Sequence, residues 1–284
     1  MKEIAKNIVT ESSTWDEFVC NCKNLGSSPS AKKIKGDAFE ILTKHYLLTD
    51  PIFVSKFDEV LHHWELINHP NNILEDLNLP SPEIGVDIIA RYKDGTYCAI
   101  QCKFKQDRNK NLSYNELSTF FSVTERRNTY SKLSHRIICT SANEISHKVA
   151  SVHKEKLAYL TYSDFENLNN VRFKQIHENM NGHKLIYEPF KPREHQKIAV
   201  KKTSDYFRNS GFKKGKIIHP CGSGKSMTAY WVSEILQAKT VLIAVPSLAL
   251  VRQTLETWTK QALATETEID YIAVCSDKDV AQSN

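Results

Sequence analysis

Two periodicities alternate along the chain. Trp15, Phe18, Val19, Cys22 and Leu25 recur at the spacing of one helix face, behind Thr14 as a capping residue. Gly26-Ser27-Ser28-Pro29-Ser30 breaks that pattern. A second amphipathic helix is predicted from about Lys32 to Leu48, with Phe39, Leu42 and Tyr46 on its apolar face and Glu40 beside them. Val54 to Leu66 fits either a strand or a helix, and Asn68 to Asn72 and Pro80-Ser81-Pro82 read as loops. From Gly85 the period shortens. A strand over 85–92, a Lys93-Asp94-Gly95 turn and a strand over 96–104 make a β-hairpin. A helix is predicted over 113–128, with Leu117, Phe120, Phe121 and Thr124 inward. A strand over 136–140, a helix over 144–153, a strand over 157–160 and a short helix over 164–168 follow. This order predicts an α/β fold with a mixed sheet.

Tyr187-Glu188-Pro189-Phe190-Lys191-Pro192 is too rich in proline for a helix or central strand, and marks a boundary. Beyond it the chain reads helix 193–209, strand 216–218, helix 225–237, strand 240–245, helix 248–263 and strand 271–275. The run Thr240 to Val245 is continuously apolar, as in a parallel strand covered on both faces. The predicted organisation is an N-terminal helical extension over 1–30, a first domain over 31–186 and a partial second domain over 187–284.

Bulk properties narrow this little. The 284 residues suffice for two domains, and 40% hydrophobic and 25% charged content is globular. The net charge of +5 permits a nucleic-acid partner without requiring one. Its distribution says more: residues 101–154 hold ten Lys/Arg against four Asp/Glu, directly after the hairpin. The seven cysteines include no Cys-x-x-Cys pair, and several sit in apolar runs, which argues for a reducing compartment and against a zinc site. His62-His63 reads as a solvent-facing or capped pair, not a ligand set. With no apolar signal core and no membrane-length run, a soluble, cytoplasmic chain with no membrane partner is expected.

The hairpin ends carry chemistry. Asp87 lies at the start of the first strand, and Gln101 and Lys103, two residues apart, point to one face near the end of the second. Mg²⁺ takes a few oxygen ligands and keeps several waters. Asp87 can offer a carboxylate, Gln101 an amide oxygen and Cys102 its main-chain carbonyl, with Glu40 binding directly or through water. Lys103 can then stabilise charge developing on a phosphodiester. A second motif, His219-Pro220-Cys221-Gly222-Ser223-Gly224-Lys225-Ser226, lies between an apolar strand and a helix, the context a phosphate loop requires. Its residues from Pro220 to Ser226 would cradle a nucleoside triphosphate: backbone N–H groups and the helix dipole on the β-phosphate, Lys225 on the β- and γ-phosphates, Ser226 on Mg²⁺.

The first set resembles the PD-(D/E)xK nuclease superfamily in its glutamine-containing, Mrr-like branch, on Gly36-Asp37-Ala38-Phe39-Glu40, Gly85-Val86-Asp87 and Gln101-Cys102-Lys103, over roughly residues 31–165. The resemblance implies a restriction-endonuclease-like mixed sheet flanked by helices. It makes Asp87 the metal aspartate, Gln101 the residue in the usual Asp/Glu place, Lys103 the catalytic lysine and Glu40 the helix-borne acid. Pro192-Arg193-Glu194-His195-Gln196 and Val245 to Gln253 resemble superfamily 2 helicase elements. They imply a partial RecA-like parallel α/β domain, with Gln196 at adenine and the second stretch on the DNA backbone. The Asp-Glu box such motors use does not follow Asp270, so this chain is expected to bind ATP without turning it over and to be a fragment of a longer protein.

Taken together, these resemblances imply a Mg²⁺-dependent endonuclease for double-stranded DNA, coupled in the complete protein to ATP-driven translocation. Lys105, Arg108, Arg126 and Arg127 are candidate phosphate contacts, and a homodimer would serve double-strand cleavage. The rival readings are a catalytically inactive DNA-binding module that loads the motor, and an RNA or chromatin motor with an unrelated N-terminal domain.

Overall fold

The computed structural model describes residues 1–152, 155–211 and 213–274, and divides the chain into a first unit of Met1–Leu185 together with the described residues from Ile272 on, and a second over Ile186–Tyr271. The first unit starts with helices α1 (Lys2–Thr10), α2 (Trp15–Asn24), α3 (Pro29–Leu47) and α4 (Pro51–Lys56). Strand β1 (Phe57–His62) and short helices α5 (His63–Leu66) and α6 (Ile73–Asp76) lead to the hairpin β2 (Ile88–Tyr92) and β3 (Tyr97–Lys103). A 3-10 turn (Tyr114–Leu117), α7 (Ser118–Thr124), α8 (Arg127–Lys132), β4 (Leu133–Thr140), α9 (His147–Val152), β5 (Leu157–Leu160), α10 (Tyr162–Phe165) and α11 (Asn170–Met180) complete it.

The sheet order is β1-β2-β3-β4-β5, antiparallel through β3 and parallel from β3 to β5. Alternation along the strands supplies each face with its own core. Ile88, Ala90, Cys98, Ile100, Cys102, Ile137 and Cys139 pack against α1, α2, α3, α10 and α11. Ile89, Ala99 and Ile138 pack against Phe120, Phe121 and Val123 of α7 and Val149 of α9. Helices 1 and 2 share the first core, where Trp15 stacks on Phe18 and Phe165 at 5.5 and 5.4 Å between ring centroids.

Helix α3 starts where its sequence dictates. The Ser28 hydroxyl accepts from Ala31 N at 3.2 Å, and Pro29 occupies the first turn, where its missing donor costs nothing. The buried stripe Ala31, Ile34, Ala38, Phe39, Leu42, Tyr46 then lays the helix on the sheet and carries Glu40 to its end. The hairpin turns on Gly95 (φ +86°), with Tyr92 N bonding Thr96 O at 2.8 Å.

Several expectations change. The segment 54–66 is both things in turn: the end of α4, then β1, then α5. The helix expected over 113–128 is broken at Arg126, whose extended backbone (φ −60°, ψ 133°) redirects the chain into α8 and β4. His62 and His63 are buried, not solvent-facing: His62 stacks on Trp64 at 3.9 Å, and His63 Nε2 shares a hydrogen bond with Pro80 O at 3.1 Å. Helix α11, unforeseen from the sequence, is capped by the Asn169 side chain and pinned by Arg172 to buried Asp50 at 2.6 Å.

The second unit holds α12 (Glu194–Asn209), α13 (Lys225–Ile235) and α14 (Leu248–Ala264) at the expected places. The expected strands 216–218 and 240–245 are not formed, nor is 271–274; Cys275 lies outside the described residues. Ile218 is 82% and Leu242 94% exposed. An apolar run becomes a parallel strand only when neighbours complete its ladder and helices cover both faces, and no such partner is present among the described residues. None of the described helices is long and apolar enough to cross a membrane.

One glycine fixes how the hairpin loop meets α7. Gly85 has φ +77°, and a Cβ there would stand 2.8 Å from the backbone of Thr119 and of Phe120. Gly85→Ala is expected to destabilise the first unit by at least about 2 kcal/mol, through left-handed strain and overlap with rigid backbone. Gly95→Ala, with open space around it, should cost only about 1–2 kcal/mol, from strain alone. Denaturant titration of the two variants gives the comparison, and equal losses would contradict this packing.

Candidate functional site

Asp87 sits one residue before β2, where its backbone is held on both sides. Its N–H donates to Ile100 O at 3.0 Å, and its carbonyl accepts from His63 N at 2.9 Å. The carboxylate is 5% exposed. Its Oδ2 accepts from Cys102 N at 2.6 Å and from the side-chain amide of buried Gln101. The hairpin register thus brings residues 87, 101 and 102 together, and Lys103 follows on the face of Gln101, half-buried.

Two further acids converge here. Glu40 from α3 and Glu83 from the loop before Gly85 each bring a carboxylate oxygen to within 4.8 Å of the others and of Asp87. Sequence reasoning placed Asp87, Glu40, Gln101 and Lys103 and missed Glu83. The available signal was an acid four residues ahead of Asp87, across a glycine that loop geometry requires. Like charges crowded away from water favour protonation. Burial first, then Asp87, Glu83 and Asp37, push the Glu40 carboxyl up from 4.5 to about 9, against the pull of Lys103. Burial also raises Asp87 from 3.8 to about 6, with Glu83 adding to it, while the Cys102 N–H, Lys103 and Gln101 oppose the rise. Burial and the neighbouring acids thus both favour the protonated form of these two carboxyls.

The amide of Gln101 gives its N–H to Asp87, so in this arrangement it orders the aspartate. The candidate DNA contacts separate. Lys105 pairs with Glu116, and its backbone laces to Ser141, close beyond the end of β3 that carries Lys103. Arg108 lies over the Tyr162 ring at 4.6 Å. Arg126 and Arg127 precede β4, whose first residue Leu133 pairs with Tyr97 at the opposite end of β3 from Lys103. The fold does not bring these two to the acidic cluster.

In the second unit, the loop over 220–226 leads into α13. Gly222 and Gly224 take positive φ (75° and 81°), and α13 starts at Lys225. Lys225 Nζ reaches the carbonyls of His219 and Pro220 at 3.1 and 3.2 Å. Gln196 is 4% exposed. It donates to Ser223 O and Gly224 O at 3.2 and 3.1 Å while its Oε1 accepts from Arg193 N at 2.9 Å. Its amide N–H groups brace the loop in this arrangement. Cys221 is exposed, and Ser226 is half-buried on the first turn of α13.

Residues 48–180 match the Mrr_cat_2 family, described as restriction endonuclease, and residues 189–283 match the ResIII family, described as type III restriction enzyme, res subunit. The second match identifies that region as a partial RecA-like domain. No curated protein matches the chain. Among solved structures the chain is similar to one described as ATP-dependent Type ISP restriction-modification enzyme LlaBIII bound to DNA, with a TM-score of 0.61 and 22% identity. That likeness of fold covers 87% of this chain and 15% of the length of the other.

The sign of the carboxyl shifts gives a measurable consequence. A carboxyl raised in the folded state contributes stability fully below its ordinary range and loses it as pH climbs through the raised value. For Glu40 that window runs from 4.5 to about 9, and for Asp87 from 3.8 to about 6. In chelator, the melting temperature of the first unit should fall across this window, and Glu40→Gln should flatten the upper part of the fall. Parallel curves for parent and variant would remove Glu40 from the charge cluster.

Proposed function

We propose that this chain, in which an Mrr-type restriction endonuclease domain precedes a helicase-like domain, supplies a Mg²⁺-dependent endonuclease for double-stranded DNA. The helicase-like part would belong to a motor that couples cleavage to ATP-driven translocation in a larger protein. The observation that carries this reading is the meeting of Glu40, Glu83 and Asp87 within 4.8 Å at the end of a hairpin that also ends in Lys103.

The donor set fits a hard divalent cation: three carboxylates and no thiolate or imidazole among them, with the Glu40 and Asp87 carboxyls raised by burial and by the neighbouring acids. The Cys102 carbonyl would complete the oxygen set. A bound Mg²⁺ supplies phosphate charge neutralisation and lowers the pKa of a bound water. The residues do the rest. Gln101 and the Cys102 N–H hold Asp87 in one orientation. Lys103 stands where an ammonium can oppose charge growing on the phosphate oxygens. Glu40 keeps its proton while the cluster lacks a cation and releases it when one enters, so cation affinity rises with pH. In the second unit, the loop over 220–226 would hold the triphosphate of ATP, with Lys225 exchanging its two loop carbonyls for phosphate oxygens.

Lys105 and Arg108 lie on the chain just past Lys103 and would take DNA phosphates, giving binding that weakens steeply with salt. Plasmid nicking tests the site. Asp87→Ala and Lys103→Ala should each reduce Mg²⁺-dependent cleavage by about 100-fold or more, with folding retained by circular dichroism. Glu83→Gln should raise the Mg²⁺ concentration needed for half-maximal rate. Undiminished cutting by the Asp87 and Lys103 variants would sink the proposed centre. A parent chain that binds DNA but never nicks it would favour the inactive loading module instead.

A further inference from the structure

One indole in the second unit is committed to the phosphate-loop helix. Trp258, on α14, directs its ring N–H at Ser226, 3.0 Å from the hydroxyl oxygen and 3.2 Å from the main-chain carbonyl of the same residue. The ring stands edge-on to buried Tyr230 of α13, with centroids 5.0 Å apart and planes at 89°. The two contacts fix both the position and the tilt of the indole, so its N–H meets Ser226 in a defined direction.

A serine hydroxyl has one proton and two lone pairs. Near the start of a helix such a hydroxyl commonly donates to the carbonyl one turn earlier. Thr228 of the same helix does so, to Gly224 O at 3.2 Å. Ser226 is drawn instead into accepting from Trp258. The indole N–H occupies one lone pair and leaves the other on an oxygen whose rotamer is set. We propose that Trp258 is a positioning residue for the nucleotide-associated metal: its N–H holds the Ser226 oxygen ready to face a Mg²⁺ carried by a nucleoside triphosphate. The inference rests on the reading of residues 220–226 as a nucleotide site. It adds a residue 33 positions beyond Lys225 in the sequence, on a helix with no phosphate-loop motif of its own.

The loop amides and Lys225 act on phosphate without help from the indole, so the effect of Trp258 belongs to the metal-dependent part of binding alone. Affinity of the chain for a fluorescent ATP analogue, measured in Mg²⁺ and in EDTA, separates the two parts. Trp258→Phe keeps an aromatic ring against Tyr230 and deletes the donor. It should lose about three- to tenfold of the Mg²⁺-dependent tightening, the worth of one hydrogen bond, and leave affinity in EDTA unchanged. Ser226→Ala should abolish the tightening, and adding Trp258→Phe to it should then change nothing more. Equal losses in Mg²⁺ and EDTA, or a Trp258→Phe effect that persists in the Ser226→Ala background, overturn the proposal. If Trp258→Phe melts early, benzothienylalanine at the same position removes the N–H while preserving the ring shape, and the same outcomes apply. A parent chain that does not bind the analogue at all would overturn the nucleotide reading itself; one that binds it equally with and without Mg²⁺ would overturn the role of Trp258 alone.

Discussion

The first unit depends on keeping the Asp87 carboxylate buried at the end of a sheet. A carboxylate removed from water is costly unless donors meet it, and here a main-chain N–H and an amide from the facing strand do so. Because both donors come from β3, the hairpin register and the orientation of the aspartate are one constraint. Slipping the hairpin by one residue would send Gln101 to the other face and leave the acid unmet. The donors ease the cost without cancelling it, as the raised Asp87 and Glu40 carboxyls show. The site is folded with part of that cost still present.

Two helices on opposite faces of the sheet bring the remaining pieces to that point. Helix α3, on the face formed by Ile88, Ala90, Cys98 and Ile100, carries Glu40. Helix α7 covers the other face and meets the backbone at Gly85 so closely that no side chain fits, which sets the path of the loop holding Glu83. Packing on both faces therefore feeds the same cluster, and the apolar cores do the positioning that flexible acidic side chains could not do alone. In the second unit, Gln196 and Trp258, from helices on either side of α13 in the sequence, donate to the loop over 220–226 and the first turn of α13.

Much of this was legible in the residues. Alternating apolar positions around Lys93-Asp94-Gly95 identified the hairpin, and helical spacing identified α2, α3, α12, α13 and α14, because each of these elements carries its own periodicity and stop signals. Asp87, Gln101 and Lys103 could be grouped because a two-stranded ladder relates sequence positions by simple counting. Elements whose burial is decided elsewhere were not legible. Helix α1 has only Ala5, Ile8 and Val9 buried in a polar sequence, and α11 is fastened by a long-range pair between Arg172 and Asp50. The strands expected over 216–218 and 240–245 have the right composition, but composition does not supply a ladder partner.

By itself, the sequence determined the local vocabulary: which segments coil or extend, where glycine permits a turn, and which strand ends bear an acid, an amide and an ammonium group. Tertiary structure alone decided which distant groups share one small volume. Glu83 joins Glu40 and Asp87 only because a loop is pressed against α7, and Trp258 meets Ser226 only because α14 packs on α13. Arg126 and Arg127 were grouped with Lys105 by proximity in sequence, yet the intervening helix carries them to the far end of β3. Periodicity reports which face of an element is buried, whereas the partner on that face is chosen by packing over the whole domain.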